Sequence, residues 1–224
     1  MPTTTLCTIA ANVRAKRERR KEARPGELLA AALQLFVEKG FAATRAEEVA
    51  RRAGVSKGTL FLYFSSKDEL FKAVVRENIS GQFPEWNARF EAYQGSTADL
   101  VRLFLMQWWE TIGNSPISGI VKLMMSEASN FPELAEFYEQ EVIQPGSQLI
   151  QRILQRGIDS GEFAPIDLHY GTYTLLTPML FLATWKHSFG ACSKLAHNID
   201  PSDYLRIQSE VILRGLAAPS TTRP

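Results

Sequence analysis

Residues 54–70 of the chain read GVSKGTLFLYFSSKDEL, and this stretch decides how the surrounding sequence folds. It begins with Gly54, which can supply the positive φ of a tight turn without a steric penalty. Ser56 follows at the position of a helix N-cap, so a short helix is predicted over residues 56–62. This helix mixes bulky apolar side chains with polar ones, a mixture that a helix buried in a core would not need.

The sequence before this stretch supplies the helix that leads into it. Thr44 and Glu47 have the spacing of a capping box, in which each residue satisfies a backbone N–H of the first turn. They therefore predict a helix over residues 44–53, ended by the turn at Gly54.

Two further helices complete a small helical domain. Apolar residues at helical spacing predict one over residues 26–39, and Gly40 follows it at the position of a left-handed C-cap. Ser66 and Glu69 form a second capping box, which predicts a helix continuing toward residue 78. The short connections indicate that the four helices pack together.

The two helices on either side of the turn are predicted to form a helix-turn-helix. Ala50 is small where the helices cross, and Val49, Val55 and Leu60 can hold the pair against the first helix. In such units the second helix enters the DNA major groove, and its N-terminal residues reach base edges. Gly58 costs about 1 kcal/mol relative to Ala inside a helix, which indicates that the backbone there approaches DNA closely.

Residues 36–75, FVEKGFAATRAEEVARRAGVSKGTLFLYFSSKDELFKAVV, resemble the DNA-binding domain of the TetR/AcrR transcriptional regulators. The resemblance runs from about Leu28 to Val75 and rests on KGF, TRAEEVARRAGVSKGTL and YFSSKDEL in this order. It implies an all-α fold with an N-terminal three-helix helix-turn-helix DNA-binding domain and a larger C-terminal helical domain for ligand binding and dimerisation. It also implies a homodimer that binds a near-palindromic operator with its two reading helices about one DNA turn apart.

The same resemblance implies which residues contact double-stranded DNA. Thr44, Tyr63 and Lys67 are expected at phosphates, and the first residues of the short helix are expected at base edges. The predicted DNA-binding residues are Thr44, Arg45, Ser56, Lys57, Gly58, Thr59, Phe61, Leu62, Tyr63 and Lys67.

Two positions of the short helix depart from the family pattern. Phe61 stands where Tyr is common, and it has no hydroxyl to donate to a phosphate or a base. Leu62 stands where a polar residue is frequent, so it can offer only apolar contact, for example to a thymine methyl group.

Charge is distributed unevenly along the chain. Residues 1–77 carry 15 Lys and Arg against 9 Asp and Glu, whereas residues 78–224 carry 10 against 15. A basic front half and an acidic back half indicate that only the front half meets a polyanion. Residues 14–24 hold seven of the basic side chains, and they form either a solvated tail or an arm that adds DNA contacts.

These features predict four segments. Residues 1–24 form a flexible basic arm, residues 25–80 the DNA-binding domain, residues 81–217 the ligand-binding and dimerisation domain, and residues 218–224 a disordered tail.

Helical spacing continues through the C-terminal half. Pro145 should kink or break one of the helices there, and Pro178 should bend another, because proline lacks the N–H that the helix needs. The predicted helices are 84–93, 97–113, 116–128, 132–160, 167–189 and 201–217.

Large aromatic and Met side chains are dense in this half. A core explains most of them individually, but together they suit an adaptable apolar cavity for a small hydrophobic or aromatic effector. The candidate ligand residues are Trp108, Trp109, Met124, Met125, Phe131, Phe137, Tyr138, Tyr170, Tyr173 and Trp185.

The last two helices are the dimerisation candidates by resemblance. Residues of these two helices with apolar or long side chains are expected at the interface between two chains. They are Leu175, Met179, Leu182, Tyr204, Gln208, Val211 and Ile212.

Other function classes find little support in the sequence. It has no Gly-x-Ser-x-Gly, no Walker loop and no His-Glu-x-x-His, so an enzyme is not expected. Two distant cysteines and three scattered histidines predict neither a disulfide nor a metal site, and no cofactor is expected. No run of about 18 apolar residues predicts a membrane span, and we expect a cytoplasmic protein. The alternatives within the leading class are a DNA-binding regulator without a small ligand, constitutive or controlled by a protein partner, and an activator.

Overall fold

The computed structural model describes the backbone of residues 4–192 and 199–218, and the side chains of residues 24–190, 192 and 199–218. Within these ranges the chain is helical, with one isolated antiparallel bridge and no strand. The predicted all-α fold is confirmed.

The chain divides into two compact units, the first ending at Val74 and the second beginning at Val75. The division lies within a helix, six positions before the predicted boundary at residue 80. The tail predicted for residues 218–224 lies outside the described residues from residue 219 onward.

The first unit is built from four helices, the last of which continues into the second unit. Their bounds are Thr4–Ala43 for α1, Ala46–Arg52 for α2, Lys57–Tyr63 for α3 and Lys67–Asn78 for α4.

Helix α1 differs from its predicted extent. It begins at Thr4 and runs through Pro25, where the sequence predicted a break, because a single proline removes only one N–H and a helix can continue around it. The backbone of the predicted arm is therefore helical from Thr4 onward. Near its other end, Gly40 has φ 82° and interrupts the helical geometry, as its C-cap position predicted.

Three phenylalanines form the centre of the first unit. The rings of Phe36, Phe41 and Phe71 lie 5.4–5.6 Å apart by their centroids, two of the pairs edge to face. All three are buried. Since Phe36 and Phe41 belong to α1 and Phe71 to α4, this cluster joins the first and last helices of the unit.

The second unit contains eight more helices in the described residues. They are α5 Phe83–Glu91, α6 Thr97–Trp108, α7 Ser118–Glu127, α8 Pro132–Tyr138, α9 Gln144–Asp159, α10 Leu168–Lys186, α11 Phe189–Cys192 and α12 Pro201–Leu216.

Two π-helical turns extend these helices. One, Trp109–Gly113, continues α6, and the other, Glu139–Ile143, connects α8 to α9. The second lies directly before Pro145, which cannot donate the hydrogen bond of a regular turn. The predicted helices 97–113 and 132–160 are thus continuous, each with a widened turn.

Helix α10 lies at the centre of the second unit and packs against α7, α9 and α12. The end of α12 is fixed by an antiparallel bridge between Phe163 and Ala217, with Ala164 N donating to Leu216 O at 2.8 Å. No described helix is both long and apolar enough to cross a membrane.

Candidate DNA interface and ligand cavity

The short helix α3 is held in place by very few groups. Gly54 has φ 67° in the turn before it, and Val55 N donates to Ala50 O at 2.9 Å. Ser56 caps the helix, its hydroxyl accepting from Thr59 N at 3.1 Å. Leu60 is the fully buried residue of α3. The turn, the cap and the anchoring residue all lie where the sequence predicted them.

The start of α2 differs from the prediction. Its N-cap is Arg45, not Thr44, and Arg45 N donates to a Glu48 carboxylate oxygen at 3.4 Å. Thr44 is 1% exposed. Its hydroxyl donates toward two carbonyl oxygens of α1, Gly40 O at 2.7 Å and Leu35 O at 3.1 Å. The phosphate contact predicted for the Thr44 side chain is therefore corrected, because its hydroxyl is used inside the unit.

The outward face of α3 is apolar where the sequence departs from the family pattern. Leu62 is 83% exposed, and Phe61 and Tyr63 are also exposed. An apolar side chain this exposed on a seven-residue helix has no packing role in the unit. It can therefore meet an external surface.

Gly58 has no structural reason to be glycine within the chain. Its φ is not positive, and a Cβ built there would meet only the Ser56 hydroxyl, at 3.8 Å, which is an ordinary contact. Since alanine would fit and would favour the helix, any requirement for glycine arises from a molecule outside the chain.

The charged groups beside α3 are already paired within the unit. The Lys57 ammonium forms an ion pair with Glu47 of α2 and lies 5.7 Å from the Phe61 ring centre. Its hydrogen bond to the Glu47 carboxylate lowers the pKa of that carboxyl. The Lys67 ammonium donates to Phe41 O at 2.8 Å, at the end of α1. A DNA phosphate would therefore compete with the Glu47 carboxylate for the Lys57 ammonium.

The second unit contains a cavity of about 500 Å³ with almost wholly apolar walls. Helices α5 to α10 and both π-helical segments contribute to its walls. Five of the ten predicted ligand residues line it: Trp108, Met124, Met125, Tyr138 and Tyr173.

The other five predicted ligand residues do not line this cavity. Trp109 packs beside Trp108, and Phe137 lies under the Arg76 guanidinium, 4.9 Å from its ring centre. Tyr170 is exposed, and Trp185 stacks on Phe181 at 5.7 Å. Phe131 precedes α8. The sequence shows that these residues are large and mainly apolar, but their helical spacing does not predict which of them face the cavity.

Several wall residues were missed by the sequence analysis. They come from the end of α4, from α5 and from the π-helical turn before α9, and include Ile79, Phe83, Trp86, Val142 and Ile143. The aromatic residues of α5 at positions 83, 86 and 90 have helical spacing, which was the available signal for this wall.

The π-helical turn Glu139–Ile143 faces the cavity and also binds α4. Glu139, Val142 and Ile143 line the cavity. Glu141 in the same turn accepts from Arg76 Nε at 3.1 Å and Nη2 at 2.7 Å. These hydrogen bonds hold the pKa of the Glu141 carboxyl below its usual value. This ion pair therefore joins the cavity wall to the last turn of α4.

His187 does not belong to the cavity lining. Its Nε2 is 2.8 Å from the Ser118 hydroxyl, which also lies 2.8 Å from Ser115 O. Since the hydroxyl has one proton, it donates either to Ser115 O or to Nε2, according to the tautomer of the histidine. Burial, with Lys186 and Lys122 nearby, lowers the pKa of His187.

Comparison with known proteins agrees with this arrangement. Residues 28–74, which contain α2, α3 and most of α4, match the family described as "Bacterial regulatory proteins, tetR family". This segment belongs to that family. The chain is a DNA-binding transcriptional regulator.

Two TetR-family relatives illustrate the extent of the likeness. The chain is 29% identical over 166 residues to the transcriptional regulator RutR of Escherichia coli K12, covering 68% of this chain and 70% of that one. It is 47% identical over 59 residues to the transcriptional activator FasR of Mycolicibacterium smegmatis, covering 26% and 27%.

A solved structure with a similar fold covers most of the chain. FadR from Bacillus subtilis, in complex with stearoyl-CoA, superimposes with a TM-score of 0.72 at 18% identity and covers 85% of this chain and 98% of that one. The predicted architecture of a DNA-binding domain and a larger helical domain is confirmed.

Four of the residues predicted at a dimer interface are buried within their own chain. Leu175, Met179, Leu182 and Ile212 are each less than 9% exposed, and Met179 lines the cavity. Their assignment to the interface is corrected, because these faces of α10 and α12 pack inside the unit.

The outer faces of α10 and α12 carry different apolar residues. Val211 is 60% exposed, Ile207 and Phe181 are also exposed, and the Phe181 ring lies 5.2 Å from that of Tyr204. Gln208 is half-buried between these residues along α12. Tyr204, Gln208 and Val211 are thus the predicted interface residues that can reach a partner.

We expect Gly58→Ala to separate stability from DNA binding. The added methyl group should raise the melting temperature slightly, since Ala is favoured over Gly in helices by up to about 1 kcal/mol. It should also weaken binding to a captured duplex by about tenfold, or about 1.4 kcal/mol, as measured by fluorescence anisotropy at fixed salt. Gly215→Ala in α12, where a Cβ also has open space, is the matched control. Equal affinity of both variants would contradict close approach at Gly58.

The lowered pKa of His187 predicts a pH-dependent loss of stability. As the pH falls through the ordinary value of 6.5, the unfolded chain takes up a proton before the folded one, so stability falls until the folded pKa is passed. His187→Gln should therefore lose less melting temperature between pH 7.5 and 5.5 than the parent. His169→Gln, at an exposed histidine of α10, serves as control. An identical loss in parent and His187→Gln would contradict the assignment.

Proposed function

We propose that the chain is a dimeric, ligand-responsive repressor that binds a near-palindromic operator and is released by a small apolar or aromatic effector. The observation that carries this proposal is a cavity of about 500 Å³ in a chain that also presents an exposed DNA-reading helix. A volume of this size suits a small-molecule ligand, whose typical sites measure roughly 300–1,000 Å³.

On the DNA side, the proposed contacts are the predicted residues that α3 and its flanks expose. Arg45, Lys57, Gly58, Leu62 and Tyr63 are all exposed around the reading helix. Lys57 and Gly58, at its N-terminal end, would face base edges, and Leu62 would contact a thymine methyl group.

Other predicted residues have supporting roles in this proposal. Ser56 and Thr59 bond to each other at 2.9 Å and fix the start of α3. Lys67 would approach a phosphate while its ammonium still caps α1. Phe61 would shield the Lys57 ammonium on one side.

On the ligand side, the cavity supports an apolar effector. The FadR structure of the same fold was solved with stearoyl-CoA, a molecule with a long apolar chain. The walls here have the same apolar character, with Met124, Met125 and Met179 able to adapt to the shape of a ligand. A DNA-binding regulator without a small ligand would have no use for such a cavity.

The link between ligand and DNA would pass through α4. Helix α4 begins with Lys67, shortly after the reading helix α3. More than two turns later it contains Arg76, which pairs with Glu141 in the π-helical turn that lines the cavity. A ligand that favours one position of the turn would favour one position of α4, and the population of DNA-competent molecules would change accordingly.

The proposed dimer would form through the outer faces of α10 and α12. Phe181, Tyr204, Ile207 and Val211 form the apolar part of this surface. A two-fold symmetric contact between two copies would present two α3 helices to one operator.

We propose that the protein represses transcription of its target genes. FasR is an activator, but its likeness covers only 59 residues, about a quarter of each chain, so it does not decide the direction of regulation here. A DNA target and the absence of membrane-crossing helices in the described residues support a cytoplasmic location.

The direct test is capture of DNA by the purified full chain. From fragmented genomic DNA of its source, it should retain at low salt a fragment near its own gene, and a saturating apolar effector should release that fragment. A reporter driven by the fragment should be silenced by the protein. Retention of no fragment would overturn the proposal. Activation of the reporter would show that the protein is an activator and not a repressor.

The same preparation tests the dimer. Sedimentation of the protein without DNA should give the mass of two chains, and the captured fragment should contain an inverted repeat. The mass of a single chain at micromolar concentration would contradict dimerisation through α10 and α12.

We expect Glu141→Gln to uncouple ligand binding from DNA release. Removing the charge weakens the hydrogen bonds between residue 141 and Arg76. The effector should then bind the protein with nearly unchanged affinity. It should release DNA at least about fivefold less effectively, which is within the usual range of coupling energies. An exposed ion pair contributes about 0–1 kcal/mol, so the fold should persist.

Arg102→Gln provides the control for this variant. Arg102 pairs with Glu210 at 2.9 Å elsewhere in the second unit and does not line the cavity. If both variants release DNA as the parent does, the Arg76–Glu141 pair does not carry the coupling.

A further inference from the structure

Three of the buried residues in the cavity lining carry a polar side-chain group. The Tyr138 hydroxyl and the indole N–H groups of Trp86 and Trp108 belong to lining residues that are each less than 9% exposed. All three can donate a hydrogen bond, and an indole nitrogen can only donate. The polar chemistry of the cavity interior is therefore dominated by donors.

These three donors make no hydrogen bond to another described residue. Among the buried side chains that the structure describes, the polar atoms sealed from solvent without a partner are Thr97 Oγ1 and Trp185 Nε1. The groups on Tyr138, Trp86 and Trp108 are not among these sealed atoms, and their residues line the cavity. A buried polar group without a partner costs free energy, which a ligand acceptor would recover.

The Tyr138 hydroxyl is fixed as a donor over the whole physiological range. Its burial raises the pKa of the phenol well above the ordinary value of 10.0. The neutral phenol therefore keeps its proton, and it presents an O–H rather than a negative charge to anything in the cavity.

The walls offer no positive charge to a ligand. In the part of the chain that the structure describes, the one charged lining residue is the acidic Glu139. Nearby cations are engaged elsewhere, since Arg76 binds Glu141, and the Lys186 ammonium donates to Gly113 O at 2.9 Å. An anionic group inside the cavity would lose its hydration without gaining a counter-charge.

We propose that the effector is an uncharged, mainly apolar molecule bearing a hydrogen-bond acceptor, such as an ester or a ketone, to which Tyr138 donates. This inference rests on the proposed ligand role of the cavity and specifies its chemistry. It excludes a free carboxylate as the preferred ligand, because that ligand would face donors but no cation.

Three probes of similar length separate the possibilities: methyl decanoate, decanoate and decane. Trp86 and Trp108 line the cavity, so binding to the full-length protein at pH 8 can be followed by tryptophan fluorescence and confirmed by calorimetry. We expect the ester to bind at least about tenfold more tightly than the carboxylate, which must bury an unpaired charge. It should also bind more tightly than decane, which accepts no hydrogen bond.

Tyr138→Phe tests the assigned donor. It removes one oxygen from the wall, so the ester should lose about fivefold in affinity, as expected for one neutral hydrogen bond. The affinity for decane should stay within about twofold of the parent, since the apolar area is unchanged. Because the hydroxyl has no hydrogen-bond partner among the described residues, the variant should melt at or above the parent temperature.

Tyr173→Phe is the matched control. Tyr173 also lines the cavity but is half exposed, so water already satisfies its hydroxyl. A loss of ester affinity in this variant equal to that in Tyr138→Phe would overturn the assignment. So would carboxylate binding as tight as ester binding, or failure of the ester to bind up to its solubility limit.

Measuring DNA release with the same probes distinguishes this inference from the proposed function. If the ester binds as expected but leaves the captured DNA bound, the ligand-release mechanism fails and the inference stands. If decanoate releases the DNA and the ester does not, the inference fails and the mechanism stands.

Discussion

The reading helix α3 depends on the burial of one side chain, Leu60. A helix of seven residues forms too few internal hydrogen bonds to be stable alone, so it needs tertiary contacts to exist. Its other large apolar residues, including Leu62, are exposed and cannot supply them. The Ser56 cap and the turn at Gly54 fix where the helix starts, and Leu60 fixes which side faces inward. The aromatic core beneath then provides a rigid base for an outward surface that the unit itself does not use.

Helix boundaries were predictable where a single residue type decides them. Gly54 has the positive φ that its place in the turn required, and Ser56 and Asp200 cap helices as their side chains allow. Thr44 shows the limit of such reasoning. Its hydroxyl is equally suited to capping α2 or to bonding the end of α1, and burial at the end of α1 decided the second, leaving the cap to Arg45. Local chemistry defined the options, and tertiary packing chose between them.

The direction in which a helix faces was less predictable than its extent. Helix α10 is apolar on nearly all sides, so its sequence gives no stripe that separates core from surface. Leu175 and Leu182 were assigned outward but pack inward, whereas Phe181 lies on the outer face. The same ambiguity explains why half of the predicted ligand residues line the cavity and half do not. Trp86 was not predicted as a wall residue, although it shares one face of α5 with Phe83 and Phe90.

The π-helical turn before α9 explains how one local feature can serve two surfaces. Pro145 lacks the N–H of a regular turn, and the widened turn directly precedes it. The turn places Val142 and Ile143 at the cavity while Glu141 reaches Arg76 on α4. Coupling between ligand and α4 then needs no long path through packed side chains, because the wall that a ligand touches and the group that holds α4 belong to the same five residues. Such widened turns often occur at functional sites, and here a single proline accounts for its position.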